Sequence, residues 1–156
     1  MAKLTTRTKA SKKSTGKMRA IKKVVDGIKF DSTMEANYYE YLKAEKAKGN
    51  VLHFELQPKY RLQDSYKKYG KTIRAIDYIS DFKVTYSNGE ERIIDVKGKA
   101  TVDFKLKRKL FDFRYPELFL QLITWDNKSG SWVDYDEHEK AKSKARREKK
   151  AKAAKQ

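Results

Sequence analysis

"TIRAIDYISDFKVTYSNGEERIIDVKG", residues 72–98, holds the pairing that decides the fold. Apolar and polar residues alternate on either side of Asn88-Gly89, so the stretch reads as two antiparallel strands joined at that turn. The length of the loop sets the register. With a two-residue turn Ser87 pairs with Glu90, Asp81 falls opposite Val96, and charged side chains share a face with apolar ones. With a three-residue loop and Gly89 left-handed in a bulge, Tyr86 pairs with Glu90 and Phe82 with Ile94. Phe82, Val84, Ile94 and Val96 then form one face, and Asp81, Asp95 and Lys97 the other. A one-residue slip moves the whole apolar set, so hydrophobic burial selects the second register.

In that register Asp81 lies opposite Asp95, and two opposed carboxylates are destabilising unless something compensates them. Lys97 is one compensator. A divalent cation is another: oxygen ligands suit Mg²⁺ or Mn²⁺, which bind one or two carboxylates and accept substrate phosphates. A metal there can lower the pKa of a water and neutralise charge on a phosphodiester. Lys97 beside it can position the water or stabilise the phosphate. The competing reading is a plain Asp95–Lys97 surface ion pair, which is worth little.

Outward from the hairpin, "DSTMEANYYEYLKAEKAKGN" (31–50) reads as a helix. Asp31 or Ser32 caps it, Glu35 completes a capping box, and Gly49-Asn50 ends it. Met34, Tyr38, Tyr41 and Leu42 are its expected apolar stripe. "VLHFELQPKYRLQ" (51–63) is a strand bent at Pro58, and "SYKKYGK" (65–71) a polar connection. "TVDFKLKRKLFDFRYPE" (101–117) is a second helix, with Phe104, Leu106, Leu110, Phe111 and Phe113 on its apolar side and Pro116 at its end. "LFLQLITW" (118–125) is an interior strand. The order helix, three strands, helix, strand predicts an α/β domain with a mixed sheet under helical cover.

Charge is unevenly placed along the 156 residues. Residues 1–23 carry nine Lys/Arg and no acid, and residues 140–156 carry nine Lys/Arg and one acid, Glu148. The net charge of +17 therefore lies in the two ends, and residues 24–139 are neutral. We expect a disordered basic arm over 1–23, a core domain over 24–136, and a basic helical or disordered tail over 137–156. Cationic arms of this kind attract nucleic acid through counterion release. The chain has no cysteine, which excludes disulfides and thiolate chemistry. No apolar run has the length of a membrane span and no signal peptide is visible, so a soluble cytoplasmic protein is expected.

With these residues in place, the sequence resembles the PD-(D/E)XK nuclease superfamily. Asp81 in "YISDF" matches the first acid of that pattern, and Asp95-Val96-Lys97 matches its (D/E)-x-K triplet. Glu35 in "DSTMEANYY" matches the Glu that many members carry on the first helix. "ELQPKY" (Glu55–Tyr60) is similar to the Gln-Pro strand of transposon-end endonucleases. "DS..EA", "LQP", "Y..DF", "DVKG" and "T...K.K", in this order over about residues 20–125, resemble a family of small phage-encoded proteins. Ser80 stands where the superfamily name implies Pro, and Asp95 is one methylene shorter than the commoner Glu.

The resemblance implies a restriction-endonuclease-like core and a Mg²⁺-dependent endodeoxyribonuclease in which Mn²⁺ substitutes. Asp81, Asp95 and Glu35 would hold the metal, and Lys97 would serve the attacking water. Gln57 would orient a ligand or water. Thr101, Lys105, Lys107 and Arg108, at the start of the helix after the triplet, would meet DNA phosphate. Arg74 would contact phosphate or pair with Asp77. The lean is toward branched or recombination intermediates of phage DNA, acted on in the host cytoplasm. Junction resolution needs two sites and so a homodimer. No membrane or small-molecule cofactor is expected. The alternative is a non-catalytic DNA- or RNA-binding protein on the same scaffold.

Overall fold

The computed structural model describes residues 21–153. Asp26 and Gly27 both take left-handed backbone, φ 51° and 77°, and their turn joins β1 (Lys23–Val25) to β2 (Ile28–Phe30). The expected disordered arm thus overlaps a strand at Lys23, and its first twenty residues lie outside the described ones. Helix α1 (Thr33–Ala47) follows, with Ser32 as N-cap. Ser32 Oγ accepts the Glu35 amide at 3.1 Å and donates to Glu35 Oε1 at 2.8 Å.

The chain then runs through β3 (Val51–Leu56), β4 (Lys59–Gln63), β5 (Tyr66–Lys68), β6 (Lys71–Ile73), β7 (Ile76–Ile79) and β8 (Phe82–Tyr86). The segment expected to be a polar connection is instead the hairpin β5–β6. Its turn, Tyr69-Gly70, lies between facing Lys68 and Lys71. These six strands form one long antiparallel ribbon folded at that tip. Leu56 faces Phe82 in β3–β8, and Lys59 faces Ile79 in β4–β7, so the register carries across the break between them. Pro58 has no amide proton and interrupts the ladder there.

β8 pairs with β9 (Glu91–Val96) in the register that burial selects: Phe82 faces Ile94 and Thr85 faces Glu91. The Tyr86 amide donates to the Glu90 carbonyl at 2.9 Å, and Gly89 takes φ 82° in the loop. Helix α2 (Val102–Arg114) leads to β10 (Leu120–Asp126), β11 (Ser131–Asp134) and α3 (Tyr135–Ala153). The basic tail expected from residue 137 is therefore a helix that begins at Tyr135, as far as the described residues run.

The central sheet has five strands in the order β11-β10-β9-β8-β3. Only β9–β10 is parallel, with α2 in the connection. Among the described residues the domain is α/β with a mixed sheet and three helices. Ile93 and Ile94 are neighbours in β9 and point to opposite faces. Ile94 packs with Phe82, Val84 and the α1 residues Ala36, Tyr38, Tyr39 and Leu42. Ile93 packs with Leu120, Leu122 and the α2 residues Phe104 and Phe111.

Both helical stripes differ from expectation. In α1, Tyr39 is buried in place of Tyr41, because the β1–β2 hairpin brings Phe30 to 5.1 Å from the Tyr39 ring. In α2, Leu106 is 59% and Phe113 88% exposed. They lie on the side of the helix away from Phe104 and Phe111.

Candidate active site at the strand kink

The break in the ribbon builds the site. Gln57 takes φ 51°, a left-handed conformation uncommon for a non-glycine residue. Its amide donates to the Asp81 carbonyl at 2.9 Å, and the Ser80 amide donates to the Pro58 carbonyl at 3.2 Å. Both strands thus bend together at Gln57-Pro58 and Ser80-Asp81. The bend turns Asp81 toward the end of β9, where its Oδ2 accepts the Val96 amide at 2.7 Å.

Asp95 is almost fully buried, at 1% exposure. Its Oδ2 accepts the Tyr78 hydroxyl, and Lys97 Nζ contacts its Oδ1. Among the described residues Lys97 is the one polar partner of the buried Oδ1. Lys97 Nζ also lies 5.0 Å from the centre of the Phe104 ring. Tyr78, a partner for Asp95 that the sequence reading missed, holds its proton firmly: burial and then the Asp95 charge push its pKa well up.

Burial, then the charge of Asp95, then that of Glu35, push the Asp81 carboxyl up to about 8. Burial also raises Glu35, against the lowering effects of Ser32 and, more weakly, Lys97. Glu35, Asp81, Asp95 and Lys97 therefore act on one another electrostatically. They do so from two adjoining hollows. Glu35, Gln57 and Asp81 line a small cavity of about 140 Å³ with Phe30 and Leu56. Asp95, Lys97, Thr101 and Lys107 line a cleft of about 410 Å³ on the α2 side.

Other expected contacts are dispersed. Lys105 and Arg108 line a separate groove between α2 and α3, where Arg108 pairs with Asp136 at 2.7 Å. Asp77 pairs with Lys59 at 2.8 Å and with Arg61, not with Arg74, which is exposed beside β6. Thr101 caps α2, its Oγ1 accepting the Phe104 amide at 3.2 Å.

Among the described residues no three His, Cys, Asp or Glu side chains form a ready-made metal cage. The donors nonetheless fit a hard divalent cation. They are all carboxylate oxygens, two of them on buried or largely buried side chains, and Asp81 is raised by burial and then by the charges of Asp95 and Glu35. Ser32 engages one Glu35 oxygen, Oε1, and Lys97 contacts one Asp95 oxygen, Oδ1.

The chain matches the family described as protein of unknown function DUF1064 over residues 15–131, and it belongs to that family. No curated protein and no solved structure matches it. Among the described residues, no helix is long and apolar enough to cross a membrane.

Proposed function

We propose that the protein is a Mg²⁺-dependent endodeoxyribonuclease with a restriction-endonuclease-like core, and that Mn²⁺ substitutes for Mg²⁺. The observation that carries this reading is the grouping of Glu35, Asp81 and Asp95 in one electrostatic unit with Lys97 at the ribbon kink. The element order α1, ribbon, β9, α2, β10 supports the same reading.

Asp81 and Asp95 are the residues to hold the metal, with Glu35 beside Asp81. When bound, the ion supplies charge that neutralises a scissile phosphate and lowers the pKa of a water. The chain's own groups supply placement. Tyr78 fixes the Asp95 carboxylate from behind, and Asp95 fixes the Lys97 ammonium at the mouth of the cleft. Lys97 then presents a positive charge to the phosphate and orients the attacking water. Lys107 and the amino end of α2 line the same cleft and suit the flanking phosphate.

Purified full-length protein incubated with four-way, flap and linear DNA should cut at least one substrate in Mg²⁺ and none in EDTA. Lys97→Ala and Asp95→Asn should abolish cutting. Preference for the four-way substrate, with a dimer in solution, fits action on recombination intermediates of phage DNA. Failure to cut under Mg²⁺ or Mn²⁺ rejects the enzyme. Metal-independent binding without cutting leaves the non-catalytic nucleic-acid-binding protein.

A further inference from the structure

The hairpin β5–β6 is exposed on both faces. Isolated two-stranded hairpins are marginal in water, so a fold gains little by extending one into solvent. Its composition is specific as well. Between Tyr66 and Arg74 the chain carries Lys67, Lys68, Lys71 and Arg74 and no acid, inside a core that is neutral as a whole.

The tip is the most informative point. Tyr69 and Gly70 take φ 49° and 72°, both positive, as a type I′ turn requires. Asn, Asp or Gly occupy the first of these positions at little cost, whereas a bulky aromatic there is strained. Burial does not compensate Tyr69: it is 93% exposed, with Lys68 Nζ 5.5 Å from its ring centre. Neither burial nor turn preference accounts for an aromatic ring at this position among cations.

We infer that the β5–β6 hairpin is a DNA-binding arm that enters a groove of the duplex, with Lys67, Lys68, Lys71 and Arg74 on phosphates and Tyr69 against base or sugar. The inference deepens the nuclease reading, on which it rests for where the duplex lies. The arm and Asp81 share one ribbon, and the tip at Gly70 is eleven residues from Asp81, at most about 36 Å at ~3.3 Å per strand residue. That reach exceeds the width of a groove, so the arm can hold DNA to one side of the cutting site. The B-form major groove, about 12 Å wide, admits a two-stranded ribbon, and the deep, narrow A-form groove does not. Duplex DNA rather than duplex RNA is therefore the partner.

The test is binding of the full chain to a fluorescein-labelled DNA duplex, by anisotropy in EDTA over a range of salt concentrations. Tyr69→Asn places a turn-favoured residue at the tip, so the melting temperature should hold or rise while affinity falls about tenfold. The combined Lys67→Ala, Lys68→Ala and Lys71→Ala variant should make the log–log salt slope shallower by about 0.9 for each phosphate that is no longer neutralised. Duplex RNA of the same sequence should bind more weakly.

Unchanged affinity and slope in both variants, equal binding to RNA, or no binding by wild type would overturn the arm. Because the assay needs no cleavage, the two readings fail separately. Hairpin-dependent binding without cutting in Mg²⁺ upholds the arm and removes the nuclease. Cutting with hairpin-independent binding does the reverse.

Discussion

Gln57 and Asp81 face each other across the bent ribbon, joined by the Gln57 amide and the Asp81 carbonyl at 2.9 Å. The same bend carries the left-handed Gln57 and the break at Pro58, and it directs the Asp81 carboxylate to the Val96 amide. Backbone strain and an acidic site therefore coincide. Strained residues persist where the surrounding structure over-determines them, and they cluster at functional sites.

The strain at Gln57 is testable by itself. Gln57→Gly should keep or raise the melting temperature, because glycine takes φ 51° freely. Gln57→Val should cost about 1–3 kcal/mol, since a β-branched residue resists that conformation. Thermal denaturation of the pair checks it, and equal destabilisation by both would mean that the side chain, not the backbone, matters.

Asp95 should be expensive to leave alone. Lys97→Ala removes the counter-charge of a buried carboxylate and should cost about 3–5 kcal/mol. Tyr78→Phe removes its hydroxyl donor and should cost about 1–3 kcal/mol. Adding Asp95→Asn to Lys97→Ala should recover part of the loss. A urea-unfolding double-mutant cycle reads the coupling, and strict additivity would contradict the contact.

The acid cluster predicts how metal-free stability responds to pH. The Asp81 carboxyl is raised to about 8, above its unfolded value of 3.8. Between those values the folded state holds a proton that the unfolded chain has released. The stability that this group contributes is complete below the unfolded value and is lost as pH rises through about 8. In EDTA the melting temperature should therefore fall more between pH 6 and 9 in wild type than in Asp81→Asn. Parallel profiles would dismiss Asp81 as the group responsible.

Divalent metal should act in the opposite sense. Mg²⁺ or Mn²⁺ replaces the missing counter-charge, so it should raise the melting temperature of wild type. The gain should be larger at pH 8.5 than at pH 6, because a protonated Asp81 is a poor ligand. Asp81→Asn and Asp95→Asn should each reduce it. Equal shifts in wild type and both variants would indicate binding elsewhere.

Several of these features follow from the chain alone, for a local reason. The β8–β9 register follows from Gly89 and from the alternation of Phe82, Val84, Ile94 and Val96, which a one-residue slip would expose. The α1 cap follows from Ser32 and Glu35, which are three residues apart on any helix. These signals lie within one turn or one hairpin, where sequence spacing is spatial distance.

What only the tertiary structure decided involves partners distant in sequence. Helix α2 carries two apolar stripes, and packing against the sheet chose Phe104 and Phe111 over Leu106 and Phe113. Tyr39 is inside because Phe30 came to it. Tyr78 reaches Asp95 only because the ribbon bends, and no strand register pairs those two residues. Alternation placed Asp81, Asp95 and Lys97 on one face, but the bend seats Asp81 beside Glu35 and Asp95 beside Lys97, in neighbouring hollows. Periodicity says which side chains share a face. A kink, where the period is broken, is where that rule ends and packing takes over.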